Sequence, residues 1–132
     1  MQVDGAAAAP GAHDSMVREF DDSPAGSRAA RHFVEDACRR WGHLHMVEEA
    51  ALVVTELTTN AVRHARSAFV VALSSTPTGL RIAVSDASPA PPVPRRPDLL
   101  DTGGRGLALI AAVATAWGVD LLDDGKVVWA EL

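Results

Sequence analysis

The spacing of apolar residues changes period several times along the chain, and each change marks an element. Residues 16–20, Met-Val-Arg-Glu-Phe, form a run short enough for a first strand. Ser23-Pro24 then supplies an N-cap and a proline at the first helical position. An Ala/Arg-rich helix is expected from there to about Trp41, with Gly42 as its stop. Residues 45–65 contain neither Gly nor Pro and carry apolar residues at helical intervals, which predicts a long second helix. Two β-type runs follow, 68–75 and 80–86, separated by Thr76-Pro77-Thr78-Gly79, the pattern of a hairpin. Five of the eight prolines fall between Pro89 and Pro97, which excludes both helix and central strand. A loop of about 18 residues results, and loops that long in compact domains serve a function or lack order. Thr102-Gly103-Gly104-Arg105-Gly106 opens a third helix, expected to reach about Ala116. Residues 117–122 and 127–132 close the chain as strands around Asp123-Asp124-Gly125, a strong turn signal.

The order is β-α-α-β-β-loop-α-β-β, and it predicts an α+β fold: a two-layer α/β sandwich whose mostly antiparallel sheet carries its helices on one face. One domain over residues 16–132 is expected, preceded by a mobile tail over 1–15 rich in Ala, Gly and small polar residues. A length of 132 residues, 48% hydrophobic and 22% charged, suits a single globular core.

Two scarcities narrow the chemistry. Of 12 basic residues 11 are Arg, and Lys126 is the single Lys. A P-loop needs G-x-x-x-x-G-K-[ST], but Val127 follows Lys126, and Asp120 stands where the first glycine belongs. The protein-kinase set fails as well, since no H-R-D occurs. Lys126 is placed in the closing hairpin with no part in a phosphate site. Cys38 is the lone cysteine, so neither an intramolecular disulfide nor a C-x-x-C motif can form; it reads as a small packing residue on the first helix. Residues 1–15 lack the basic start and long apolar run of a signal peptide, and no apolar run reaches the roughly 18–20 residues of a membrane span. The expectation is a cytoplasmic protein. Its net charge of −5 argues against nucleic acid or an anionic membrane as the main partner.

Three features carry candidate chemistry. On a wheel of the second helix with Val53 at zero, Ala50, Val54, Leu57 and Ala61 mark the buried stripe, Asn60 and His64 fall within roughly 20° of Val53, and Glu56 falls near −60°. A carboxylate and a carboxamide one turn apart at the edge of the core require partners, which backbone, metal or nucleotide could supply. Asp86 ends an apolar strand. Such an acid can be a turn residue, or it can accept a hydrogen bond from an exocyclic amine such as that of adenine. In Gly103-Gly104-Arg105-Gly106-Leu107 the glycines permit close backbone approach, and the N–H groups of the following helix can bind an anion without lysine. His43 and His45, two apart and without a third ligand, belong to a solvated turn. Trp41, Trp117 and Trp129 are expected in the core. Pro89 to Pro97 could also serve as a polyproline ligand, although the segment lies inside the domain.

In this order the motifs resemble the ATP site of the superfamily that joins gyrase, heat-shock chaperones, histidine kinases and mismatch-repair ATPases, whose architecture is the Bergerat ATP-binding fold. Within it, Glu56-Leu57-Thr58-Thr59-Asn60-Ala61-Val62-Arg63-His64-Ala65 looks like the N box of the small anti-sigma-factor serine kinases and their actinobacterial relatives. Val84-Ser85-Asp86 looks like the adenine box, and Gly103-Gly104-Arg105-Gly106-Leu107 like the phosphate box. The resemblance covers residues 16–132. It implies ATP and Mg²⁺ as cofactors, with Asn60 coordinating the Mg²⁺ and Asp86 binding the adenine amine. Gly104 and Gly106 would present N–H groups to the phosphates, with His64, Ser88, Gly103 and Leu107 as further members of the three boxes, and residues 87–103 would form the ATP lid. Glu56 would act as general base on a substrate serine, and Arg105 would add charge to the transferring phosphoryl group. The family's adenine box reads D-x-G-x-G; the chain has Asp86-Ala87-Ser88-Pro89-Ala90, in which Ser88 and Ala90 restrict the backbone.

The resemblance therefore implies an ATP-binding regulator of the anti-sigma-factor type, a serine/threonine-protein kinase that phosphorylates an antagonist protein and controls a sigma factor. Its implied partners are a sigma factor, an antagonist of the STAS type, and a second copy of the chain in a homodimer. An alternative from the same motifs is a non-catalytic module whose partner affinity responds to ATP.

Overall fold

The computed structural model describes residues 14–65, 67–87 and 106–132. Residues 1–13 of the expected 1–15 tail and the proline-rich stretch 88–105 lie outside the described residues, whereas Asp14 O accepts from Ser75 N at 2.8 Å and Ser15 already belongs to the first strand.

A five-stranded, wholly antiparallel sheet runs in the order β1-β2-β3-β5-β4, with β1 at Ser15–Phe20, β2 at Phe69–Thr76, β3 at Gly79–Asp86, β4 at Ala116–Leu122 and β5 at Gly125–Glu131. Among the described residues three helices accompany it: α1 at Pro24–Arg40, α2 at Val47–Ala65 and α3 at Gly106–Val113, with a 3₁₀ turn at Leu44–Met46 leading into α2. This is the expected α+β sandwich in the expected order.

The sequence sets both ends of α1. Ser23 takes an extended conformation, and its Oγ accepts from the Gly26 N–H at 3.0 Å, satisfying one of the free N–H groups of the first turn. The Asp21 carboxylate in turn accepts from Ser23 N at 3.0 Å and from the Ser23 hydroxyl, and these two bonds hold its carboxyl below the ordinary carboxylate range. At the other end Gly42 adopts φ 78°, and His43 N donates to Cys38 O at 2.8 Å, the closing bond of a Schellman turn.

Alternation along the strands divides the sheet into two faces. Phe69, Val71 and Leu73 of β2, Leu80, Ile82 and Val84 of β3, and Val128 and Ala130 of β5 are buried on the inner face. Against them pack Ala30, Phe33, Val34, Ala37 and Cys38 of α1, and Ala50, Val53, Val54, Leu57 and Ala61 of α2. Cys38 is fully buried, as its packing role requires, and burial pushes its thiol up from the ordinary value.

Two expectations need correction. The third helix stops at Val113, short of Ala116, because Thr115 and Ala116 are drawn into the sheet. Thr115 N donates to Glu131 O at 2.7 Å, its hydroxyl donates to the same carbonyl at 3.1 Å, and Ala116 pairs with Glu131. The tryptophans do not all enter the core either. Trp41 and Trp117 are half-buried against it, but Trp129 sits in the outer phase of β5. The Arg81 guanidinium lies 4.3 Å from the Trp129 ring centroid and pairs with Glu131 at 3.0 Å, so the indole is covered by a cation and not by core side chains.

Candidate functional site

Chain continuity brings three polar residues to one end of the layer between helices and sheet. α2 closes at Ala65 and β2 opens at Phe69, which pairs directly with Asp86, the last residue of β3. On the other side of β3, Asp86 stands opposite Lys126 of β5. Asn60 lies five residues before the end of α2, about 7.5 Å along the axis at 1.5 Å per residue. All three are withdrawn from solvent: Asn60 is 1% exposed, Asp86 8% and Lys126 2%.

The helix wheel places Asn60 correctly beside the buried stripe, and its surroundings make it unusual. Both Nδ2 and Oδ1 lack a hydrogen-bond partner, the only buried side-chain atoms in that state among the described residues. A buried polar group left this way costs about 1–3 kcal/mol. Thr58, equally buried two residues earlier, is satisfied by donating to Thr55 O at 3.2 Å. Local backbone bonding, available to the threonine, thus does not meet the needs of the amide, whose two donors and carbonyl oxygen are held ready for something else. Glu56 sits one turn before Asn60 on the same side of α2 and is half-buried, so its carboxylate keeps access to solvent.

Asp86 is fixed by an ion pair. Lys126 Nζ donates to Asp86 Oδ2 at 2.6 Å, and the two side chains are only 3% and 2% exposed. Lys126 lies in the closing hairpin as expected, on β5, but its side chain is turned into the fold against Asp86 and not held apart from it. The signal was present in the sequence: Lys126 alternates in phase with Val128, Ala130 and Leu132, the inward positions of the last strand. Gly125 makes this approach possible. A Cβ there would stand 2.0 Å from the Asp86 carbonyl oxygen, so a side chain would force β3 and β5 apart beside the pair.

The remaining expected site residues divide in two. Gly106 and Leu107 open α3, which packs against α2, and its first-turn N–H groups have no acceptor within the helix. Ser88, Gly103, Gly104 and Arg105 lie outside the described residues, as do the side chains of His64 and Leu107 and the proline segment.

Among the described residues no three His, Cys, Asp or Glu side chains cluster as a metal cage. An Mg²⁺ ion held mainly by phosphates and water needs only one or two protein oxygens, and the orphaned Oδ1 of Asn60 fits that need. His43 is half-buried, with Nε2 3.2 Å from Ser75 Oγ; only His45 is exposed as expected. No described helix is long and apolar enough to cross a membrane.

Comparison with known proteins agrees with this fold. The profile of the histidine kinase-like ATPase domain matches residues 20–132, which include the end of β1 and every later element. No curated protein matches the chain significantly. A domain of this type implies ATP binding, and the match spans α2, the β3 end and α3 together. The chain belongs to the histidine kinase-like ATPase domain family.

Proposed function

We propose that the chain is an ATP-dependent regulator of the anti-sigma-factor type, a protein serine/threonine kinase that transfers the γ-phosphoryl group of Mg-ATP to a serine of a small antagonist protein. The observation that carries this reading is the buried, unpartnered amide of Asn60 one turn from the half-buried carboxylate of Glu56. A helix that served only packing would not leave such an amide in its core.

In this reading Asp86 accepts a hydrogen bond from the adenine amine, and the first-turn N–H groups of α3 with Gly104 and Gly106 receive the phosphates. Asn60 Oδ1 would hold Mg²⁺, which would neutralise phosphate charge. Glu56 takes the proton of the attacking serine hydroxyl, and Arg105 balances charge on the transferring group. The partners are a sigma factor and an antagonist of the STAS type, and the protein acts as a homodimer in the cytoplasm.

Phosphotransfer from labelled ATP to candidate antagonists tests this. Label should appear on an antagonist serine with the wild type and disappear with Glu56→Ala, while nucleotide binding persists. Absence of transfer to every antagonist, with ATP binding intact and partner control unaffected by Glu56→Ala, replaces the kinase with an ATP-responsive binding module. The Ser88 and Ala90 replacements in the adenine box are the feature that favours that second reading.

A further inference from the structure

Eleven of the twelve basic residues are arginines, and the one lysine is buried against the strand-end carboxylate. Burying an ion pair is seldom a gain in stability, because desolvation offsets much of the attraction, and well-packed apolar residues commonly do as well or better. The outer-face pair, Arg81 with Glu131, shows the alternative this chain uses where a cation serves the surface: a guanidinium, 35% exposed. Inside, the cation is instead a compact ammonium with three donors, and Asp86 is its only hydrogen-bond partner among the described residues. Donors that serve no acceptor among the described residues therefore stand next to a carboxylate, in the same buried layer as the orphaned amide of Asn60.

We propose that Lys126 is a positioning and specificity-determining residue of the base pocket, and that Asp86 and Lys126 together select a 6-amino purine nucleotide over a 6-oxo purine nucleotide. The inference rests on the reading of Asp86 as the residue that meets the base. A carboxylate is acceptor-only and an ammonium donor-only, so the pair presents an acceptor beside a donor. The edge of adenine carries the complement, an amino donor at C6 beside an acceptor at N1. Hypoxanthine carries the reverse, an acceptor at C6 beside an N1–H donor, and sets its carbonyl oxygen against the carboxylate. Lys126 acts in two ways: it fixes the orientation of the Asp86 carboxylate through the 2.6 Å bond, and it supplies the donor for N1. Gly125 keeps the two strands close enough for the pair to form.

The experiment compares binding of Mg-ATP and Mg-ITP by calorimetry in the wild type, Lys126→Met and Lys126→Arg. Wild type should favour ATP by about tenfold or more, the effect of one charge-assisted hydrogen bond gained and one repulsion avoided. Lys126→Met should bring the two nucleotides to within about threefold, and Lys126→Arg, which keeps the charge but not the compact ammonium that the buried site holds, should recover only part of the preference. Because a buried carboxylate stripped of its partner can prevent folding, a second measurement uses the wild type. Labelling with ¹⁵N-lysine marks Lys126 alone, as the chain has no other lysine. Its Nζ signal should move on saturation with ATP and move differently with ITP. A wild type that binds no ATP overturns both the ATP reading and this inference. An ATP-saturated protein whose Nζ signal is unmoved, or a folded Lys126→Met with the wild-type ATP/ITP ratio, overturns the inference alone.

Discussion

Replacing Asn60 with leucine separates function from stability. Leucine reproduces the branched outline of asparagine but replaces the amide N and O with methyl groups, so Asn60→Leu removes both orphaned atoms from a site that is 1% exposed. An unsatisfied buried polar group costs about 1–3 kcal/mol, and leucine is the better helix former by a few tenths of a kcal/mol. The slightly larger side chain opposes this through crowding, which limits the gain. The nucleotide-free variant should therefore be more stable than wild type by about 1–3 kcal/mol in urea titration, or about 4–12 °C in melting temperature for a domain of this size. Mg-ATP should no longer raise the melting temperature of the variant, because the oxygen proposed to hold the ion is gone. Loss of 1 kcal/mol or more on Asn60→Leu would show that the folded protein already satisfies the amide, and the reasoning that makes it a ligand group would fall.

Three further outcomes follow from other contacts. Gly125→Ala places a Cβ 2.0 Å from the Asp86 carbonyl oxygen, so β3 and β5 must part; a destabilisation of about 1–3 kcal/mol in urea, together with weaker ATP binding, is expected, and an unchanged midpoint and affinity would refute it. Ser23→Ala removes the acceptor of the Gly26 N–H and should cost about 1 kcal/mol in the same assay. That change also removes the larger of the two bonds that hold the Asp21 carboxyl below its ordinary 3.8, the Ser23 hydroxyl, and leaves the Ser23 N–H in place. A depressed carboxyl adds stability above 3.8 that is lost as pH falls through the folded value, so Ser23→Ala should flatten the acid limb of the stability curve there. Cys38 shifts the other way, raised above 9.0 by burial first and by Glu35 second, with Arg39 opposing. Folding then favours the neutral thiol: the contribution is present below pH 9.0 and lost as pH rises through the folded value. A thiol reagent at pH 8 should react at the rate of unfolding, and immediate modification of the native protein would contradict the burial.

The parts of the fold that the sequence revealed were those governed by local rules. Ser23-Pro24 and Gly42 bracketed α1 because capping and a positive φ depend on the few residues involved. The hairpin from Thr76 to Gly79 appeared as read, with Pro77-Thr78 as its turn. What escaped depended on distant partners. The end of α3 is set by Glu131, whose carbonyl captures Thr115 from the far end of the chain. Trp129 is expected in the core, yet its place is decided by alternation on β5 and by Arg81 across the sheet. For the candidate site, Asn60 and Asp86 were legible because helical period and strand end are local properties. The burial of Lys126 was not legible in the turn signal at Asp123-Asp124-Gly125, because that signal is local while the burial follows only from pairing β5 beside β3. Glycine at 125 looks like a turn residue in sequence; in the fold it is the first residue of β5, needed for close approach to Asp86.

The most direct measurement is calorimetric titration of the wild type and Asp86→Ala with ATP, each in the presence and absence of Mg²⁺. A site built from Asn60 on α2 and Asp86 on β3 predicts saturable binding of one nucleotide per chain by the wild type, weaker without Mg²⁺, and none by Asp86→Ala. Equal affinity in the two proteins, or no binding by the folded wild type, contradicts it.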